Sequence, residues 1–180
     1  MASIFLSPSL QEYNPCVTGG NEEERMNLLA SALTPYLDAM GITYGRSDPE
    51  FTLSQAIEAS NAGDYDLHLA LHSNAAPEEL KGILRGPDVY YYIESEEGKK
   101  AAELLGERFR QVYPYPQDVG VLSTASLREL KNTDAPSVLI ETAYHDNVED
   151  DTWLRENIWV IARAIALGIS DYVGVPFVEI

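Results

Sequence analysis

Two histidines, His68 and His72, lie four residues apart in a stretch that also carries leucines at 67, 69 and 71. On a helix the two histidines would be neighbours able to share one metal ion. On a strand they would be about 13 Å apart, too far for one ion to reach both. The alternation of apolar and polar positions favours the strand, with His72 at its carboxyl end and residues 73–77 ending it. His72 is therefore the first candidate metal ligand.

The elements that would position these residues alternate along the chain. The predicted strands cover residues 4–6, 42–44, 67–72, 88–93, 119–122 and 137–141. The predicted helices begin after the capping residues Asn21 and Thr52, cover 97–112 and run from 147 to 169, with a helical turn over 127–130. This order predicts a single α/β domain over residues 1–180, with a mostly parallel, twisted central sheet and helices on both faces. Ligands of such sheets bind where the carboxyl ends of the strands lie.

The composition limits the partners. The 180 residues include 12 Lys and Arg against 29 Asp and Glu, a formal net charge of −17. Nucleic acids and anionic membranes attract positive charge, so neither is an expected partner. No apolar run is long enough to span a membrane, and the first residues lack the basic start of a signal peptide. Cys16 is the single cysteine, so no intramolecular disulfide forms and the compartment stays open.

A parallel sheet would bring three ionisable side chains to one edge. Glu22 begins the helix after the first strand, His72 ends the third strand and Glu141 ends the last. An imidazole and a carboxylate can hold zinc, and a second carboxylate can pass a proton from metal-activated water to a leaving amine. The set favours a metal hydrolase. Two plainer interpretations stay open: Glu22 as a charge at a helix start, and Glu141 as a helix cap or a partner of Arg46 or Arg128.

Further motifs follow one another along nearly the whole chain. They are TYGR at 43–46, Leu53, Asn61, HSNA at 72–75, APSVLIET at 135–142 and NVED at 147–150. In this order they resemble the zinc-dependent N-acetylmuramoyl-L-alanine amidases of the amidase-3 type. The resemblance implies a zinc hydrolase that acts on the peptidoglycan of the cell wall, as autolysins and endolysins do. It would cleave the amide bond between N-acetylmuramic acid and the L-alanine of the stem peptide.

The resemblance also implies roles for residues at matching positions. His72 would be a zinc ligand, and Glu141 would be the catalytic acid and base. Glu22 would be the glutamate ligand at the start of the first long helix, with Glu23 as the alternative. Asn74, which follows in the His-x-Asn motif, would bind the substrate.

The segment after the first strand departs from the family pattern. The family places a third ligand, a histidine, here, but residues 7–12 contain none. Gln11 could offer an amide oxygen and Glu12 a carboxylate, although an amide is a poorer zinc donor than an imidazole. His145, in the loop after the last strand, is an outside candidate whose commoner role is at the surface or as a helix cap. His68 lies deeper on its strand and is expected to support the site or fill the core.

Three functions compete at this point. A zinc amidase that acts on peptidoglycan comes first. A non-catalytic relative that binds wall peptides in the same cleft comes second; the missing histidine favours it, and the retention of Glu141 opposes it. A zinc metallopeptidase of related fold, with a different substrate, comes third.

Overall fold

The computed structural model describes residues 1–180 as six β-strands and six α-helices. The strands are β1 (Ser3–Pro8), β2 (Thr43–Arg46), β3 (Leu67–Asn74), β4 (Asp88–Tyr92), β5 (Gly120–Thr124) and β6 (Ser137–Tyr144). The helices are α1 (Glu22–Ala39), α2 (Leu53–Asn61), α3 (Glu96–Val112), α4 (Arg128–Asn132), α5 (Val148–Glu156) and α6 (Ile158–Val173). None of them combines the length and the apolar character that crossing a membrane requires.

All six strands form one sheet in the order β2–β1–β3–β6–β4–β5. Strands β2, β1, β3 and β6 are parallel to one another, whereas β4 pairs antiparallel with β6 and parallel with β5. The predicted α/β fold with a mostly parallel sheet is therefore confirmed. Because β1, β3 and β6 are neighbours with a common direction, their carboxyl ends share one edge.

One face of this sheet, here called the apolar face, carries Leu67, Leu69 and Leu71 of β3. Helices α1 and α3 pack on it, and α6 packs against both helices. Its side chains belong to a cluster of 30 buried apolar residues. Each large apolar side chain buried in this way stabilises the fold by about 1.5–3 kcal/mol, so this face is the main source of stability.

The opposite face, here called the polar face, carries the alternate residues of the same strands. His68 of β3 lies in register with Ser137 of β6. His72 lies in register with Glu141, and residues in register point to the same side of a sheet. Helix α4 packs on β4 and β6 and contacts α2, so helices cover both faces, as predicted. The apolar cluster on this side is small: Ala70, Leu130 and Leu139.

Strands β3 and β6 extend further than predicted. Strand β3 continues past His72 to Asn74, and β6 continues past Glu141 to Tyr144. After a register shift the two strands pair again at Asn74 and Tyr144, which keeps both extended. His72 therefore lies near the carboxyl end of its strand rather than at its last residue.

The last predicted helix, over 147–169, is in fact two helices. Asn147 caps the first through its side chain. Asn157, with φ −120° and ψ 23°, leaves the helical conformation between α5 and α6. Its side chain donates to the backbone carbonyl of Trp153 at 2.8 Å. Asparagine competes with the helix by such local hydrogen bonds, which explains the break.

Candidate active site

Glu22 reaches the site because the start of α1 is firmly capped. The side chain of Asn21 accepts the N–H of Glu24, and the carboxylate of Glu24 accepts the N–H of Asn21. This reciprocal capping box fixes the first turn, in which Glu22 is 1% exposed. Oε1 of Glu22 lies 2.9 Å from Nδ1 of His72. The structure thus brings together the predicted glutamate and histidine.

Asn14 and Gln11 surround this pair. Nδ2 of Asn14 donates to Oε2 of Glu22 at 2.8 Å and to Oε1 of Gln11 at 2.8 Å. Gln11 consequently turns its amide nitrogen toward His72, 3.4 Å from Nδ1. Gln11 therefore lies where a third ligand was predicted, but Asn14 engages its oxygen.

The ionisation of Glu22 follows from these contacts. Burial acts to raise its pKa, but the hydrogen bond and the charge of His72, with hydrogen bonds from Asn14 and Ser9, bring the pKa below its usual value. Glu22 is therefore a carboxylate, the form that binds a cation. Since this carboxylate faces His72 rather than solvent, Glu22 is more than a charge at a helix start.

Glu129, on α4, belongs to the site although sequence reasoning missed it. The residue is 5% exposed. Its Oε1 accepts the hydroxyl of Ser7 at 2.5 Å and lies 3.0 Å from Nε2 of His68. Its Oε2 lies 3.7 Å from Nε2 of His72. The one available signal was its position beside leucines in the predicted turn at 127–130. Such a turn packs its leucines on the sheet, which brings the neighbouring acid close to the sheet as well.

His68 is fully buried, as expected for a supporting or core residue. Its Nε2 faces Glu129, and its Nδ1 lies 2.9 Å from the hydroxyl of Ser60 on α2. The ring of Phe5 stacks on it with 5.5 Å between the ring centroids. A continuous polar chain therefore runs from Ser60 through His68 and Glu129 to His72.

His72 has a carboxylate at each ring nitrogen. Burial alone would lower its pKa, but the carboxylate of Glu129 near Nε2, the hydrogen bond to Glu22 and the charge of Glu141 raise the pKa to about 10. Without a metal the ring is therefore an imidazolium at neutral pH. Burial would raise the pKa of Glu129, but the hydrogen bond from His68 and the charge of the nearby His72 hold that pKa well below its usual value.

Glu141 lies beside His72 at the same edge of the sheet. Its Oε2 atom is buried and has no hydrogen-bond partner. Burial raises its pKa to about 7; the charge of His72 opposes this rise, and the charges of Glu22 and Asp88 add to it. Glu141 can therefore gain and lose a proton near neutral pH, as a general acid and base must.

Neither arginine considered as a partner pairs with Glu141. Arg46 donates to Asn27 on α1, and Arg128 donates to the hydroxyl of Ser54 at 3.3 Å. The interpretation of Glu141 as an ion-pair partner of these arginines is therefore wrong. Its carboxyl group stays available for proton transfer.

Two further candidates lie near the end of β3. His145 is 4% exposed rather than at the surface, and its Nδ1 lies 2.9 Å from the hydroxyl of Ser73. This bond leaves His145 outside the polar chain that contains His72. The side-chain oxygen of Asn74 accepts the N–H of Ala75, which leaves the amide nitrogen of Asn74 free for the substrate contact predicted for it.

The acids considered as alternatives to Glu22 and Gln11 make no hydrogen bond to His72. Glu12 is exposed. Glu23 is partly exposed, and slight burial together with the charges of neighbouring acids, including Glu12, raises its pKa. Of the three glutamates at 22–24, only the first faces His72.

A cavity of about 460 Å³ opens beside His72, a size typical of small-ligand sites. His72, Glu129 and Arg128 are among the residues that line it, and Arg128 is its single arginine or lysine. Neither Glu22 nor Glu141 is part of the lining, so His72 is the residue that joins the cavity to these two acids. The larger apolar side chains of the lining are Leu10, Tyr13, Phe51, Leu53, Leu127 and Leu139.

Comparison with known proteins agrees with this geometry. The Amidase_3 family model, described as N-acetylmuramoyl-L-alanine amidase, matches residues 4–171. The chain belongs to this family. The resemblance seen in the sequence motifs is thereby confirmed, and the six-stranded sheet is the scaffold of an amidase-family domain.

Two curated proteins are similar in sequence to this chain. The chain is 26% identical over 179 residues to the N-acetylmuramoyl-L-alanine amidase LytC of Bacillus subtilis, covering 94% of this chain and 35% of LytC. It is 26% identical over 131 residues to an endolysin of Bacillus phage SPP1, covering 69% of this chain and 46% of the endolysin. The chain thus spans less than half the length of either relative.

Solved structures show the same fold. The N-acetylmuramoyl-L-alanine amidase AmiC2 of Nostoc punctiforme aligns with a TM-score of 0.85 at 22% identity, covering 96% of this chain and 97% of that chain. The catalytic domain of the amidase CwlV from Bacillus (Paenibacillus) polymyxa aligns with a TM-score of 0.81 at 15% identity, covering 98% and 100%. The fold assignment therefore rests on structure as well as on sequence.

Amidases of this family are generally zinc-dependent. Glu22 and His72 are ligand types that zinc prefers, and the buried Oε2 of Glu141 lacks a partner that a nearby cation would supply. No group of three His, Cys, Asp or Glu side chains converges on one point. Glu129 cannot complete the set, because it faces the other nitrogen of His72. Two strong zinc ligands are therefore in place, and Gln11 would be a weaker third donor once its amide turns its oxygen toward the ion.

Proposed function

We propose that this domain hydrolyses the amide bond between N-acetylmuramic acid and L-alanine in peptidoglycan, with the cell wall as its site of action. Family membership supports the reaction class. The observation that carries the proposal is Glu141, a carboxyl group with a pKa near 7 and an unpartnered oxygen beside His72. Such a group suits proton transfer and has no structural bond to maintain.

Amide hydrolysis requires two proton transfers, because water must lose a proton and the amide nitrogen must gain one before it can leave. Glu141 performs both in this proposal. It accepts the proton of the attacking water and then donates it to the nitrogen of the departing L-alanine. A carboxyl group with a pKa near the working pH can do both, and such catalysis contributes about 10²–10⁴-fold to a rate.

We further propose that zinc is the cofactor, held by Glu22 and His72 with Gln11 as the third protein ligand. When bound, zinc would lower the pKa of a water ligand toward about 7 and so supply the nucleophile. Gln11 can offer oxygen only if its amide turns over, which breaks its hydrogen bond from Asn14. Since an amide is also a weaker zinc donor than an imidazole, we expect weaker zinc binding than a site with two histidines would show.

A second function, binding of wall peptides without cleavage, is favoured by one observation. Only two strong metal ligands converge here, where catalytic zinc sites usually have three. The cavity, with its apolar lining and the single arginine, could hold a peptide with a carboxylate without any metal.

Digestion of purified peptidoglycan distinguishes these functions. The amidase should release fragments with new amino-terminal L-alanine and no new reducing sugar ends, measured by amino-group labelling and mass spectrometry. His72→Ala should release none. Amino termini other than L-alanine would indicate a peptidase, and wall binding without release at saturating zinc would indicate the binding function.

Zinc titration tests the cofactor separately. One equivalent should bind to the wild type and none to His72→Ala, as a chromophoric chelator in competition would report. Gln11→His should bind zinc more tightly than the wild type, because it supplies an imidazole at the third position. Equal zinc in the wild type and His72→Ala would remove His72 from the metal site.

A further inference from the structure

We propose that Glu129 is a positioning residue for His72: its negative charge, 3.7 Å from Nε2, favours the hydrogen on that nitrogen and leaves Nδ1, which faces Glu22, as the nitrogen that would bind the metal. This role rests on the proposed function, which places the zinc ion beside Glu22 and therefore at Nδ1 of His72. Glu129 is the only carboxylate that lines the cavity, and nothing in the mechanism proposed above uses it.

The two oxygens of Glu129 have separate partners. Oε1 accepts the hydroxyl of Ser7 and lies 3.0 Å from Nε2 of His68. Oε2 lies 3.7 Å from Nε2 of His72. Strand β1 and the neighbouring histidine of β3 therefore fix one oxygen, and the geometry of the carboxylate then directs the other at His72.

A ligand imidazole binds a metal with one nitrogen and needs an acceptor for the N–H of the other, and loss of that acceptor weakens metal binding by about 10–100-fold. Glu22 lies at Nδ1 of His72 and Glu129 at Nε2. The two nitrogens point to opposite sides of the ring, so the carboxylates cannot exchange roles around one ion. Glu22 lies on the ligand side, and Glu129 lies on the supporting side.

The plainer interpretation is that Glu129 merely satisfies the buried His68. The variant Glu129→Gln distinguishes this interpretation from a positioning role toward His72. Ser7 and His68 both need an acceptor, so the glutamine oxygen should stay with them. The amide NH₂ then faces the N–H of His72, donor against donor. Ser60→Ala is the matched control, because it removes a hydrogen bond at the far end of the same polar chain and leaves the contact between Glu129 and His72 intact.

The first measurement needs no metal. In zinc-free protein labelled with ¹⁵N-histidine, the Nε2–H of His72 should give a slowly exchanging NMR signal in the wild type and in Ser60→Ala. In Glu129→Gln that signal should be lost or broadened by exchange with water. An unchanged signal in folded Glu129→Gln would overturn the proposal. If Glu129→Gln does not fold, Glu129→Asp, which keeps the charge but withdraws it from His72, should show faster exchange than the wild type; exchange at the wild-type rate would overturn the proposal.

The second measurement is zinc affinity by competition with a chelator. Glu129→Gln should bind zinc about 10–100-fold more weakly than the wild type, and Ser60→Ala should bind it within about twofold. Equal affinity in Glu129→Gln and the wild type would overturn the proposal. If no protein in the series binds zinc, the proposed cofactor is wrong, whereas the exchange of the Nε2–H still decides whether Glu129 holds His72.

Discussion

The apolar and polar faces of the sheet are built from the same strands but are stabilised in different ways. On β3, Leu69 packs into the 30-residue apolar cluster, whereas the adjacent His68 depends on Ser60 and Glu129 for its hydrogen bonds. Apolar burial is non-directional and stabilises roughly in proportion to the apolar area removed from water. Buried polar groups require specific partners, and losing one leaves the other unsatisfied.

Glu141, on the polar face, lacks a complete set of hydrogen-bond partners. Its Oε2 is buried without a partner, and its pKa is raised to about 7. Unsatisfied buried groups are rare in folded proteins and call for an explanation such as catalysis. The apolar face therefore provides the stability that allows the polar face to keep an unsatisfied carboxyl group.

The largest effect on stability should come from the apolar face. Leu69→Ala should lower the free energy of unfolding by about 2–5 kcal/mol, the usual cost of a buried leucine side chain. Urea denaturation measures this loss. Activity per folded molecule, measured below the transition, should not change. Loss of activity in a fully folded Leu69→Ala protein would contradict the claim that the apolar face contributes stability and not activity.

A smaller loss should follow from removing one partner on the polar face. Ser60→Ala leaves Nδ1 of the fully buried His68 without its hydrogen bond. An unsatisfied buried polar group costs about 1–3 kcal/mol, again measurable by urea denaturation. Ser123→Ala, an exposed position on β5, is the control and should change stability by less than about 0.5 kcal/mol. Equal effects at both serines would contradict the role given to Ser60.

A further effect depends on pH. The pKa of Glu141 rises from an ordinary 4.5 to about 7 on folding, so between these values the folded state keeps a proton that the unfolded state releases. Its contribution to stability is complete below pH 4.5 and is lost as the pH rises through 7. Glutamine does not titrate, so the stability of zinc-free Glu141→Gln relative to zinc-free wild type should increase as the pH rises from 4.5 through 7. A constant difference in denaturation midpoint would contradict the raised pKa.

Local patterns predicted most of the fold but only part of the site. The alternation along β3 and the caps at Asn21 and Thr52 are signals within a few residues of the elements they define. Glu129 and His68 are 61 positions apart, and no local period links them. The sequence therefore predicted the edge where Glu22 and His72 meet and a supporting or core role for His68, but it did not predict that Glu129 contacts both histidines.

The carboxyl ends of β3 and β6 extend further than predicted because they too depend on partners that are remote in the sequence. Strand length there depends on pairing between Asn74 and Tyr144, which are remote in the sequence. The divided last helix differs, because its cause is local: Asn157 bonds back to the chain within one turn. An asparagine inside an otherwise apolar helical pattern was a readable sign of a break.

The most direct test of the account is the rate at which Glu141→Gln releases amino-terminal L-alanine from peptidoglycan at saturating zinc. Glutamine keeps the shape of the side chain and its capacity for hydrogen bonds but cannot carry the proton. We expect a folded protein that binds zinc as the wild type does and is about 10²–10⁴-fold slower. Turnover close to that of the wild type, with fold and zinc intact, would contradict the assignment of Glu141 as the catalytic acid and base.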